Sequence, residues 1–351
     1  MKKYLFFISI ILLSCQEEIT LDLPRGDNKL VVQGAIENGF PPYVILTNNQ
    51  GYFEPIDSDT YANLFVTDVD SIKVWYIDEN GFKISKSLGM LPPEFAEEIT
   101  GEPIPLYTIA DLSELSAVIS NPGNYNFSQA GRTYYLEIKW NNQIISAQTT
   151  IPTPTPLDCL WVEQNETADK DYKCDIRALY SDPADQQNNI LIKSKRIAHY
   201  KRVGEHTDSI QCEITNQPDT ILKLVDAGSD VLINGESFET YFPRPGDNGF
   251  PTGKYNSAHS KDCNDTLVEF KNDVVLIKFC QIDEPSMKFW RGLVRQVGTN
   301  GNPFAEPMNL VSNINGGLGV FTGYGAAYYK VPIIKGTTID EEYEPTIIDI
   351  F

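Results

Sequence analysis

Strict alternation of apolar and polar residues restricts this chain more than any other feature. Thr133 to Trp140 places Tyr134, Leu136, Ile138 and Trp140 on one face, a period of two that suits a half-buried strand and not a helix. Asn141-Asn142 then reverses the chain into Gln143 to Ile151, since tight hairpins demand a positive φ that asparagine tolerates. The same period recurs in Ser71 to Ile77, where Ile72, Val74 and Tyr76 alternate against Lys73 and Trp75, and Asp78-Glu79-Asn80-Gly81 turns that run into Phe82 to Lys86. Lys29 to Glu37 and Tyr43 to Thr47 are two further strands, and Asp111 to Ile119 is the one helical piece expected in this half, with Asp111 as its N-cap.

Short strands with turns every ~8 to 12 residues predict a mainly β protein. A chain of 351 residues fits two domains of ~100 to 200 residues each. Pro152-Thr153-Pro154-Thr155-Pro156 can continue neither a helix nor a central strand, so the boundary is expected there. The division is then an immunoglobulin- or fibronectin-like sandwich at 28–151, a proline linker at 152–156 and a second β-rich domain at 157–351. In the second part Asp175 to Tyr180, Asn189 to His199, Thr220 to Val225 and Val274 to Cys280 read as strands. Asp283-Glu284-Pro285 opens a helix, and Met287, Trp290, Val294 and Val297 recur at helical spacing, so Pro285 to Val297 is expected to lay an aromatic face on the sheet.

The first residues have a different logic. Met1-Lys2-Lys3 and the apolar run Leu5 to Leu13 form a secretory signal that is too short to span a bilayer as ~20 helical residues. Leu12-Leu13-Ser14-Cys15 resembles the processing site of a bacterial lipoprotein, which implies that 1–14 are removed, that Cys15 is acylated and that 15–27 are a tether. Acyl chains contribute ~0.8 kcal/mol per buried methylene, so several on one cysteine hold a protein on a membrane. The acidic Gln16-Glu17-Glu18 resembles the export tag of surface-displayed Bacteroidota lipoproteins, which implies an outer-membrane, cell-surface location. A formal charge of −20 excludes nucleic acid as a partner, because phosphate binding needs clustered Lys and Arg. In an oxidising compartment Cys159, Cys174, Cys212, Cys263 and Cys280 are expected to form two disulfides and leave one thiol over.

Motifs of catalysis are missing. There is no G-x-S-x-G elbow and no H-E-x-x-H, and His199, His206 and His259 lack zinc spacing. Gly249 to Tyr255 has the wrong spacing for a phosphate loop. The glycines from Gly316 to Gly325 lead into strand-like residues, which excludes a dinucleotide fold and marks places of close backbone approach. The same stretch is a candidate partner-docking loop through Asn315, Gly316, Gly317 and Gly319. Trp75, Trp140 and Trp290 lie in apolar patterns and are expected in the core, while Trp161 is less determined. No catalytic residue, metal or cofactor is expected.

Leu21-Asp22-Leu23-Pro24, Lys29-Leu30-Val31-Val32-Gln33-Gly34, Ser146-Ala147-Gln148-Thr149-Thr150-Ile151-Pro152, Phe289-Trp290 and Asn315-Gly316-Gly317-Leu318-Gly319-Val320-Phe321 together resemble the DUF4249 family of Bacteroidota lipoproteins. The resemblance implies a non-enzymatic accessory or ligand-capturing partner of a TonB-dependent outer-membrane receptor in nutrient uptake. A surface hydrolase acting on glycan or peptide, and a scaffolding subunit of an outer-membrane complex, are the alternatives.

Overall fold

The computed structural model describes residues 28–49, 63–163, 173–203, 213–231, 233–242, 255–256, 260–261, 267–269, 273–299 and 309–351. The first half contains β1 (Leu30–Glu37), β2 (Tyr43–Asn48), β3 (Ser71–Ile77), β4 (Lys83–Met90), α1 (Pro93–Thr100), β5 (Tyr107–Ile109), α2 (Leu112–Ser120), β6 (Thr133–Trp140) and β7 (Gln143–Thr150). Then come β8 (Cys159–Glu163), β9 (Lys173–Ser181), β10 (Asn189–Ala198), β11 (Tyr200–Val203), β12 (Glu213–Asn216), β13 (Lys223–Ser229) and β14 (Ser237–Phe242). The short β15 (Tyr255–Asn256), β16 (Ser260–Lys261) and β17 (Leu267–Glu269) precede β18 (Val274–Gln281), α3 (Glu284–Thr299), β19 (Ile314–Asn315), β20 (Leu318–Pro332) and β21 (Thr338–Ile339).

The local signals act as their chemistry requires. Asn141 and Asn142 adopt φ of 48° and 60° and close the β6–β7 hairpin. Asp111 caps α2 by accepting from the backbone N–H of Ser113 and Glu114. Asp283 caps α3 through Ser286 N and, with its other oxygen, accepts from Thr149 Oγ1 and Thr150 N, so one carboxylate fixes the helix to β7. Sequence reading missed α1, although Pro93 in its first turn and Gly101 in the left-handed region at its end are ordinary boundary signals.

A twelve-stranded sheet runs in the order β13-β10-β18-β20-β1-β2-β5-β4-β3-β6-β7-β19. Only Gly316 and Gly317 separate β19 from β20, so the far edge of this sheet returns to its middle and the first-half strands close on themselves through β19 and β20. The chain after residue 157 therefore completes the structure begun before 152. Its fifteen-residue β20 pairs parallel to β1 from Leu318 to Tyr324 and antiparallel to β18 from Gly325 to Pro332. The expected cut at the prolines is a boundary in sequence, and the strand pairing crosses it. Pro152 to Pro156 is laid on the sheet, where Thr155 exchanges hydrogen bonds with the Gln281 amide at 2.8 and 3.1 Å.

A second sheet, β14-β9-β8-β21, covers the opposite face of β18 and β20. Leu276, Cys280, Tyr324 and Tyr328 thus point into one core, and Val275, Ile277, Phe279, Tyr329 and Val331 into the other. Burial on both faces explains why β18 reads as a nearly continuous apolar run instead of an alternating one. On the first side α3 sets Met287 and Trp290 against the sheet, and the indole donates to Thr322 Oγ1 at 3.0 Å.

The glycines of β20 serve these close approaches. A Cβ on Gly325 would stand 2.1 Å from the Pro152 carbonyl oxygen. Gly325→Ala is expected to lower unfolding stability by at least about 2 kcal/mol, because the obstacle is backbone that cannot swing away. Gly81→Ala, at a turn with open space but φ of +82°, is expected to cost only about 1 kcal/mol. Denaturant midpoints of the two variants check the difference, and equal losses would show that the Pro152 contact carries no weight.

Candidate functional site

Cys15, Cys212 and Cys263 lie outside the described residues. Cys159 and Cys280 carry free thiols, which leaves too few cysteines for the two expected disulfides. The reason is position: Cys280 sits within β18 between two cores, where burial pushes its thiol up to about 12. Cys174 is buried on β9. Of the expected docking loop, Asn315 and Gly316 are exposed at the β19–β20 turn. Gly317 and Gly319 are committed inward, for a Cβ on Gly319 would meet the Val32 carbonyl oxygen at 2.1 Å and its φ is +99°. The exposed residues of that loop are Asn315, Gly316 and Leu318.

The most concentrated group of titratable side chains was not legible in sequence, because its members come from four strands. Glu37 of β1 accepts from Lys278 of β18 and from the Tyr328 hydroxyl of β20, and Lys193 of β10 donates to the Tyr324 hydroxyl at 3.3 Å. The Lys193 ammonium also lies 4.3 Å from the Trp290 ring centroid. Burial, reinforced by the Lys278 charge, lowers Lys193 from the ordinary 10.5 to about 8. Burial likewise raises Tyr324 and Tyr328, with Glu37 adding to the effect. All five side chains are buried, so this group joins strands and meets no solute.

One surface that can meet a solute is the outer face of β4-β3-β6-β7. Pairing aligns Ser85, Trp75, Tyr135 and Gln148 in one row across the four strands. Trp75 takes the polar phase of β3, opposite in direction to buried Ile72 and Val74, and so departs from the expectation that it packs in the core. Trp140 and Trp290 are buried as expected, and Trp161 is half-buried. Trp75 and Tyr135 lie 5.7 Å apart with ring planes only 18° from parallel, an offset stack, and Lys83 Nζ stands 3.7 Å from the Trp75 ring centroid, so the indole is held between a ring and an ammonium.

Beside this ring pair a cleft of about 630 Å³ opens between the β3–β4 turn and residues 129–133, with Tyr135 shared by both. Its walls are set locally. Asp78 holds the turn by accepting from the backbone of Asn80 and Phe82 at 3.0 and 2.7 Å. Arg132 is fixed by the Phe127 carbonyl and the Gln129 side chain at 2.9 and 2.7 Å, with its guanidinium 4.0 Å from the Tyr76 ring centroid. The cleft can hydrogen-bond a polar solute, with the Tyr135 ring at its rim. Among the described residues no cluster of three His, Cys, Asp or Glu stands ready to hold a metal ion, and no helix is long and apolar enough to cross a membrane.

Fold and site together define a mainly β protein whose ionisable core is closed and whose outer sheet face is aromatic and polar. Residues 16–330 match the family described as Domain of unknown function (DUF4249), and the chain belongs to that family. No curated protein matches it.

Lys193 binds its proton less readily folded than unfolded. The penalty is full below about pH 8 and is relieved as pH rises toward 10.5, so this group makes stability increase across that window until tyrosine ionisation of the unfolded chain opposes it near pH 10. Lys193→Met is expected to raise stability at pH 7 by about 1–3 kcal/mol and to flatten the rise between pH 8 and 9.5. Guanidinium unfolding at several pH values checks both, and an unchanged slope would exclude Lys193 as its source.

Proposed function

We propose that this chain is a lipid-anchored, non-catalytic protein of the bacterial cell surface that captures a ligand for a TonB-dependent outer-membrane receptor. The observation that carries the binding role is the solvent-facing cleft lined by Asp78, Gln129, Arg132 and Tyr135, set on a closed sheet, while the Lys193 and Lys278 cluster is sealed in the core. Capture benefits from such a cleft, because walls already fixed by hydrogen bonds lose little conformational freedom when a ligand arrives. The anchor follows from Cys15 after Leu12-Leu13-Ser14, and the family match begins one residue later, at Gln16. The receptor role rests on what the sequence resemblance to the DUF4249 family implies.

Metabolic labelling with a fatty-acid probe is expected to mark the wild-type chain and to leave Cys15→Ser unmarked and released from membranes. Affinity purification of the tagged protein from native outer membranes is expected to recover a TonB-dependent barrel. Labelled protein that brings down no such barrel would reject the receptor partnership, and recovery of assembly machinery in its place would favour the scaffolding role.

A further inference from the structure

We infer that the β9–β10 and β13–β14 connections together hold a calcium ion, ligated by the Asp182 and Asp230 carboxylates, the Asn234 amide oxygen and the backbone carbonyls of Pro183 and Gln186. The site is separate from the cleft and from the sealed lysine cluster, and it does not depend on the capture role. Three observations carry it.

The first is uncompensated charge. Asn188 grips both carboxylates, with its backbone N–H donating to Asp230 Oδ2 at 2.5 Å and its side-chain amide to Asp182 Oδ1 at 3.0 Å. Both acids are buried, Asp230 with only 1 % exposure. Among the described residues neither has a Lys, Arg or His within ion-pair distance. Burial, with the Asp182 charge adding, pushes the Asp230 carboxyl above its ordinary value. Two neighbouring buried carboxylates are costly unless a cation or a shared proton neutralises them.

The second is an oxygen without a donor. The Asp182 oxygens accept from the Tyr180 hydroxyl, from Asn188 and from the backbone N–H of Gly235, whereas Asp230 Oδ1 is enclosed and accepts no hydrogen bond. A buried oxygen of this kind is a natural position for an ion.

Convergence of neutral oxygens is the third. The Asn234 side-chain oxygen stands 3.2 Å from Asp182 Oδ2, 3.2 Å from the Pro183 carbonyl and 3.0 Å from the Gln186 carbonyl. Oxygens that share one calcium at ~2.3 to 2.6 Å lie about 3 Å from one another, so these spacings suit a common ligand shell. Turned over, the same amide donates its NH2 to those three atoms, so its two rotamers are a closed, ion-free form and a ligating form. Gly235 lets the two connections meet, for its φ is +79° and a Cβ there would stand 2.7 Å from Ala184 Cβ. Only two of the ligands are acidic residues. Mixed carboxylate, amide and carbonyl oxygens in an irregular shell suit calcium, which takes about 6 to 8 ligands, better than magnesium, which demands a near-ideal octahedron. Asn234 and the run from Ala184 to Gln187 are exposed and give the ion a way in. Once bound, it ties β9 and β14 of the second sheet to β10 and β13 of the first.

The test is calorimetric titration of the purified, chelator-stripped protein with calcium chloride, with magnesium chloride as the control and terbium as a luminescent probe. One calcium is expected to bind with a dissociation constant of about 10⁻³ M or tighter, at least about tenfold more tightly than magnesium, and to raise the melting temperature. Because the Tyr180 hydroxyl donates to Asp182, bound terbium is expected to emit on tyrosine excitation and to lose that emission when calcium displaces it. Asp230→Asn is expected to weaken calcium binding at least about tenfold while its calcium-free melting temperature equals or exceeds that of wild type, since the repulsion is relieved. Asn234→Ala, on an exposed turn, serves as the second variant should Asp230→Asn fold poorly, and is expected to weaken binding at least about threefold. No saturable calcium or terbium binding, a melting temperature indifferent to calcium, or undiminished binding by a folded variant would overturn the inference and leave a shared proton as what neutralises the two acids.

Discussion

The Glu37–Lys278 ion pair is the constraint on which the architecture turns. Its partners are 241 residues apart, on β1 and β18, and both are buried. Taking two charges out of water costs several kcal/mol per ion, which is recovered only where geometry is good and the remaining polar atoms are satisfied. Here the Tyr328 hydroxyl donates to the second Glu37 oxygen, and the Ile350 carbonyl faces the ammonium at 3.4 Å. An incorrect register of β1, β18 or β20 would strand one of these charges in an apolar core. The pair therefore rejects alternative strand alignments more than it adds net stability.

β20 turns that specificity into a fold. One continuous strand pairs its first half with β1 and its second half with β18, so the parts before and after the prolines cannot separate without losing strand pairing. Its glycines let other backbone come close, and Asp283 adds a fixed link from α3 to β7. The last residues join the same core: Lys195 donates to the Ile348 and Phe351 carbonyls, and the Phe351 ring lies 4.6 Å from that of Tyr43.

This division of labour bears on the functional reading. The Glu37, Lys193, Lys278, Tyr324 and Tyr328 group is spent inside, where desolvation holds Lys193 low and the tyrosines high. The outward face of β3 and β6 is left to aromatic and polar side chains held rigid by pairing on both sides. A binding surface built on central strands has little freedom to lose when it is occupied.

Much of the local structure was legible in the residues themselves. Alternation marked β3, β6 and β7, Asn141-Asn142 marked their hairpin, and Asp111 and Asp283 marked the starts of α2 and α3, because each signal acts within a few residues of its cause. The phase of Trp75 was written there too, opposite Ile72 and Val74, although a large aromatic in an apolar run invites a core assignment. Tertiary structure alone decided that β20 serves two layers, that the proline segment lies on a sheet, that Cys280 is enclosed, and that Glu37 meets Lys278. Those outcomes depend on contacts between residues far apart in sequence, and a short-range pattern of polarity contains no information about which distant strand will arrive beside it.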